Sequence, residues 1–153
     1  MIEIKLNPSQ ISIKDKSKSK KSLLEKASQI LSDSSKISSK IIFDKLYERE
    51  KLGSTSVGNG VAIPHARIDG LEHSFLAILV LEEAVDFVNF DDFDVDIIFC
   101  LIVPSKDNNN HLELLAAISD KLDKNDIRQL IRKSDTESDI MDCVKSDEIN
   151  YIK

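Results

Sequence analysis

The sequence predicts an α/β protein (α+β in some schemes), a three-layer α/β/α sandwich with a mixed β-sheet flanked by helices. Three observations carry that prediction. Apolar residues recur at helical spacing in the first third of the chain. Two continuous aliphatic runs, FLAILVL (75–81) and VDIIFCLIV (95–103), occupy the middle, and helical spacing returns in the last third. Branched aliphatic runs without polar alternation suit strands covered on both faces, and the helices before and after them supply the two covers. The expected order is β-αα-βββ-ααα in a single domain, 1–153.

The first element is a short alternating ISI at Ile11–Ile13, read as an edge strand. Ser22 and Glu25 form a capping box, after which Leu23, Leu24, Ala27, Ile30 and Leu31 define a first helix ending near Ser32. A second amphipathic helix carries Ile41, Ile42, Leu46 and Tyr47 and stops at Gly53. Three strands follow, VAIP (61–64) and the two aliphatic runs, and Pro104 ends the third. The asparagines of SKDNNN offer a cap for HLELLAAISDKL. Asn125 can cap a short helix through Lys133, and Thr136 with Asp139 opens a last one through Val144.

Composition excludes several classes of function. With 153 residues the chain can bury roughly 68–70% of its unfolded surface, enough for a real core without a second domain. A net charge of −6 argues against nucleic acid or anionic lipid as a wholesale partner, although KDKSKSKKSLLEK (14–26) is locally basic and EEAVDFVNFDDFDVD (82–96) has no basic residue. No apolar window approaches the ~20 residues of a membrane span and the opening MIEIKLNPSQ is polar, without a basic-then-apolar signal pattern, so a cytoplasmic location is expected. Cys100 and Cys143 lack a CxxC partner and are read as reduced.

Residues 53–69, GSTSVGNGVAIPHARID, concentrate three of the four glycines just before a histidine. Gly53 to Gly58 has the glycine spacing of a nucleotide P-loop, but Asn59-Gly60 stand where that motif requires Lys and then Ser or Thr. What remains is a loop of backbone N–H groups and hydroxyls, Ser54 and Thr55 among them, suited to a single phosphoryl group. On this reading the glycines let the backbone close around a small anion. His65 has the chemistry to receive it: a hydrogen bond from one ring nitrogen leaves a lone pair on the other. Arg49 offers a guanidinium fork for phosphate oxygens, and His111 a second donor. Taken singly, each residue also fits a plain role, His65 in a loop, Arg49 on a solvated helix and His111 in a first helical turn. His73 is read as structural. Zinc is disfavoured because no HxxxH pair exists, and a serine hydrolase because GxSxG is absent.

Together, REKLGST (49–55), GNGVAIPH (58–65) and VPSKDNNNHLELLAAIS (103–119) resemble the enzyme IIA family of the bacterial phosphoenolpyruvate-dependent phosphotransferase system, in its fructose/mannitol and nitrogen-regulatory branch. LNPSQISI and KKSLLEKASQIL are most similar to nitrogen-regulatory members. The resemblance implies that His65 accepts a phosphoryl group from an HPr-like phosphocarrier, with His111 beside it and Arg49 stabilising the transferred group. It implies no metal and no nucleotide cofactor. Many members carry glycine and often lysine after the histidine, where this chain has Ala66-Arg67. Three roles stay open: a regulatory phosphocarrier acting on target proteins, a sugar-type IIA component serving a separate IIB cysteine, and a binding module that is not phosphorylated.

Overall fold

Two long strands, β6 (Phe75–Val85) and β7 (Val95–Pro104), run antiparallel through the centre of the fold, with Phe75 opposite Ile102 and Leu79 opposite Ile98. They are apolar on both faces because both faces are covered. Ile97, Phe99, Leu101 and Val103 point into one core, and Ile98, Cys100 and Ile102 into the other. Fully burying one such side chain is worth about 1.5–3 kcal/mol. The computed structural model describes residues 2–87, 94–106 and 108–153. The middle of the acidic run 82–96 therefore lies outside the described residues, whereas the asparagines expected to precede and cap the helix after SKDNNN lie inside its first turn, the helix running over Asn108–Leu122.

Around this pair a mixed sheet is built in the order β3-β4-β7-β6-β1-β8, with β5 also pairing β7 and β2 also pairing β6. The further strands are β1 (Ile2–Lys5), β2 (Ile11–Asp15), β3 (Ser56–Gly58), β4 (Val61–Ala62), β5 (His65–Ile68) and β8 (Ile149–Ile152). β1 and β8 pair in parallel, Ile2 with Ile149 and Lys5 with Ile152. One helical layer holds α1 (Lys20–Ser35) and α2 (Ser39–Lys51), which bury Leu23, Leu24, Ala27, Leu31, Ile42 and Leu46. The other holds α3 (Asn108–Leu122), α4 (Asn125–Lys133) and α5 (Glu137–Cys143), which supply Leu114, Ile118, Leu122, Ile131 and Ile140. The expected sandwich is present.

Several boundaries differ from the sequence reading, each for a local reason. α1 starts before the expected box because Ser19 and Ser22 cap each other reciprocally: Ser22 N donates to Ser19 Oγ at 3.1 Å and Ser19 N to Ser22 Oγ at 3.0 Å. It continues to Ser35, where Lys36 turns left-handed at φ 68°. α4 is preceded by Lys124 without a side-chain cap, and Asn125 Oδ1 instead accepts from Arg128 Nη2 at 3.3 Å. VAIP is not one strand, since pairing stops at Ala62 and resumes at His65 as β5. Thr136 and Asp139 form the expected capping box of α5.

The Gly58-Asn59-Gly60 segment turns the β3–β4 hairpin, with φ values of 92°, 58° and 81°. A Cβ at Gly60 would stand 2.6 Å from Arg132 Nη2 and 2.9 Å from Asp96 Oδ1. Arg132 there binds Asp96 through two hydrogen bonds of 2.9 Å and reaches the Asn59 carbonyl at 2.8 Å. Gly60 thus serves the docking of α4 against the hairpin. That close approach, and not an anion beside His65 as the sequence reading expects, is what Gly60 makes room for.

Candidate functional site

His65 is the first residue of β5, in register with Leu101 of β7. Pro64 precedes it and needs no donor there, while its carbonyl accepts from Leu101 N at 2.8 Å and ties the approach to the central strand. His65 Nδ1 donates to the Ile63 carbonyl at 2.8 Å. A carbonyl only accepts, so the proton is on Nδ1 and the lone pair is on Nε2. Burial is the main influence on this ring and lowers its proton affinity, with Arg49 and Arg67 pushing the same way. The Ile63 contact and Glu50 oppose them, and the net shift is downward from 6.5. The imidazole is therefore neutral near pH 7.

His111, in the first turn of α3, is buried, and its ring lies 5.4 Å from that of His65, centroid to centroid, tilted by 57°. Arg49, in the last turn of α2, donates from Nη1 to the Gly53 carbonyl at 2.9 Å, which holds its stem against the loop. Two adjoining clefts of about 390 and 350 Å³ share Arg49 and His65 in their walls. His111 lines the first, and Ser54, Thr55 and Ser56 line the second. Three residues singled out in the sequence, far apart along the chain, are thus brought to one place. His73 is exposed and apart from it.

The hydroxyls of Ser54 and Thr55 are already engaged. Ser54 Oγ donates to the Phe87 carbonyl at 3.3 Å and accepts from Ser56 N at 3.1 Å. Thr55 Oγ1 donates to the Glu50 carboxylate, which also accepts from Thr55 N at 3.3 Å. These bonds hold the loop between Gly53 and Ser56 in place. Glu50 is the residue that sequence reasoning missed, although a signal existed. It follows Ile42 and Leu46 at intervals of four, on the buried face of α2, where a carboxylate calls for an explanation.

A larger cleft of about 550 Å³ lies between α3 and β8. Lysines 121, 124 and 145 are interspersed there with Asp120, Asp147 and Glu148. Among the described residues, no group of three or more His, Cys, Asp or Glu side chains is placed to hold a metal ion. No helix among them is long and apolar enough to cross a membrane.

Such a neutral histidine, backed by a carbonyl and flanked by a second histidine and an arginine, suits phosphoryl chemistry. Residues 5–147 match the family described as "Phosphoenolpyruvate-dependent sugar phosphotransferase system, EIIA 2". The chain belongs to this EIIA family. It is 41% identical over 119 residues to the nitrogen regulatory protein of Pseudomonas aeruginosa, covering 77% of each chain. It is 32% identical over 101 residues to the fructose-specific EIIA component of Haloferax volcanii, covering 66% of each. Among solved structures, nitrogen regulatory protein IIA-Ntr from Neisseria meningitidis superposes with a TM-score of 0.88 at 33% identity, covering 94% of this chain and 97% of that one. The EIIA chain described here thus shares both sequence and fold with nitrogen-regulatory members.

Proposed function

We propose that this EIIA protein is a cytoplasmic regulatory phosphocarrier, one domain over residues 1–153, that accepts a phosphoryl group on His65. The donor is the phosphohistidine of an HPr-like carrier. Nε2 attacks phosphorus with its lone pair, an N–P bond forms, and the bond to the donor's ring nitrogen breaks and returns the electron pair to the donor. Charge on the equatorial oxygens is met by Arg49 and His111, while Ser54 and Thr55 hold the loop that walls the cleft. The observation that carries this reading is the 2.8 Å bond from His65 Nδ1 to the Ile63 carbonyl, which dedicates the other nitrogen to nucleophilic attack. The charge and bulk of the bound phosphoryl group then alter which target protein the surface around His65 binds.

The test is incubation with phosphoenolpyruvate, enzyme I and an HPr-type carrier. An acid-labile phosphohistidine is expected, and it is absent from His65→Ala. Label that survives this substitution refutes the assignment, and a wild type that takes no label supports a binding module of the same fold. The likeness to a fructose-specific component motivates a second reading, in which the phosphoryl group passes to a separate IIB cysteine. Sugar-dependent loss of label on adding IIB partners selects that reading over the regulatory one.

A further inference from the structure

Glu50 stands next to Arg49 in sequence, yet its carboxylate turns the opposite way, into the protein, with only 2% of its side chain exposed. Burying a carboxylate costs several kcal/mol unless it is paired and hydrogen-bonded. Here Lys20 Nζ, from the first turn of α1, meets Oε2 at 2.7 Å and also lies 4.4 Å over the Phe87 ring. Both donors of Thr55, N–H and Oγ1–H, point to the same carboxylate. From there a series of hydrogen bonds continues: Ile63 N donates to the Thr55 carbonyl at 3.0 Å, and the Ile63 carbonyl accepts from His65 Nδ1 at 2.8 Å. A replaceable ion pair, serving stability alone, need not end on the backbone step that orients a ring.

We infer that Glu50, held by Lys20, is a positioning residue for His65, fixing Thr55 and through it the Ile63 carbonyl that selects the Nδ1–H tautomer. This rests on the reading of His65 as phosphoryl acceptor for its functional meaning, but its structural content is separate. The carboxylate sets where the Thr55 backbone lies, that sets Ile63, and Ile63 decides which ring nitrogen is left with the lone pair. Lys20, partly exposed at 25% of its side chain, supplies the countercharge that pairs with the buried Glu50 carboxylate. The lysine-rich segment that precedes and opens α1 thereby acquires one member with a defined partner at the site. The electrostatic effect has the same address, because the Glu50 charge partly offsets the lowering of the His65 proton affinity by burial and by the two arginines.

The experiment reads ring nitrogen shifts of His65 by long-range 15N–1H NMR at neutral pH, beside the rate of phosphorylation by the carrier system. Wild type is expected to show the Nδ1–H form alone. In Glu50→Gln the amide has an NH2 group that cannot face the Lys20 ammonium, and in Thr55→Val the hydroxyl link is gone. Each is expected to populate the Nε2–H tautomer measurably and to slow labelling by about 10- to 100-fold, the usual penalty for a small misplacement of a reacting group. Glu50→Asp, which keeps the charge, is expected to restore most of the rate. Should Glu50→Gln fail to fold, Lys20→Met/Glu50→Leu replaces the buried pair by apolar groups of similar size, a change that proteins commonly tolerate. Undiminished Nδ1–H tautomer in a folded variant lacking the Glu50 carboxylate overturns the inference. Expected tautomer changes in a protein whose wild type takes no label overturn the acceptor reading instead and leave the positioning role standing.

Discussion

Gly60→Ala should be among the most damaging single-methyl additions in the molecule, and its cost can be worked from the contacts. At φ 81° an L-residue carries a left-handed backbone penalty of about 1–2 kcal/mol. The added Cβ would also meet Arg132 Nη2 at 2.6 Å and Asp96 Oδ1 at 2.9 Å, so the two-pronged ion pair must shift. Arg132 and Asp96 are each about a quarter exposed, at 26% and 25%, so solvent screens part of the loss. Weakening this charged hydrogen bonding then costs about 1–2 kcal/mol more. The sum is about 2–4 kcal/mol, measured as the change in urea midpoint at constant slope. A double-mutant cycle separates the contributions: in an Arg132→Ala background only the backbone penalty and the weaker Asp96 contact remain, so the same substitution should cost about 1–2 kcal/mol. A cost below about 1 kcal/mol in the natural background, or equal costs in both, refutes the close approach as its cause. Because the turn lies apart from the clefts at His65, labelling of the folded fraction should be unchanged.

Other expectations concern the site and the core. Arg49→Ala should slow phosphoryl acceptance by about 100-fold and Arg49→Lys should recover only part of it, since an ammonium lacks the planar fork. His111→Ala should slow the same rate by about 10- to 100-fold with the unfolding curve little changed, and unaltered rates for both Arg49→Ala and His111→Ala show that other groups meet the phosphoryl oxygens. Because His65 binds its proton less readily than free imidazole, at 6.5, acceptance should hold as the pH falls through that value and decline only below it. The linked stability has a definite sign. The unfolded chain takes up this proton first, so the contribution is complete above 6.5 and is lost as the pH falls through the lower folded value. His65→Gln should flatten that slope in urea melts taken across the range. Burial pushes the Cys100 thiol far up, so it should resist thiol reagents in the native state and react only on unfolding, as followed by mass spectrometry of the alkylated protein.

What could be read directly from the sequence was whatever periodicity or local chemistry encodes. FLAILVL and VDIIFCLIV announce doubly covered strands, and β6 and β7 are those strands. The Thr136–Asp139 box matches α5 because its signal lies within a turn of the residues it organises, whereas α4 runs over the expected Asn125–Lys133 without the Asn125 cap. β1 and β8 gave no such signal, since four residues apiece pair across the length of the chain. Glycine composition reveals a need for unusual φ but not its purpose, so Gly60 could be attached to the wrong neighbour. His65, Arg49 and His111 were legible as types of chemistry in sequence words. Their convergence depends on β5 pairing with β7 and on where α3 begins. Glu50 was hidden by its neighbour, because an acidic residue in YEREKL reads as one more solvated charge until the four-residue spacing from Leu46 is followed.

The parallel clasp of β1 with β8 has a consequence for synthesis. Residues 2–5 leave the ribosome well before residues 149–152, which apart from Phe75 beside Lys5 are their described strand partners. Until those emerge, the hydrogen-bonding edge of β1 has little to pair with, and the nascent chain must carry an open sheet margin while the residues between them are made. The lysine at position 5 and the acid at position 3 place charge on that margin, which discourages other chains from adding to it while it waits.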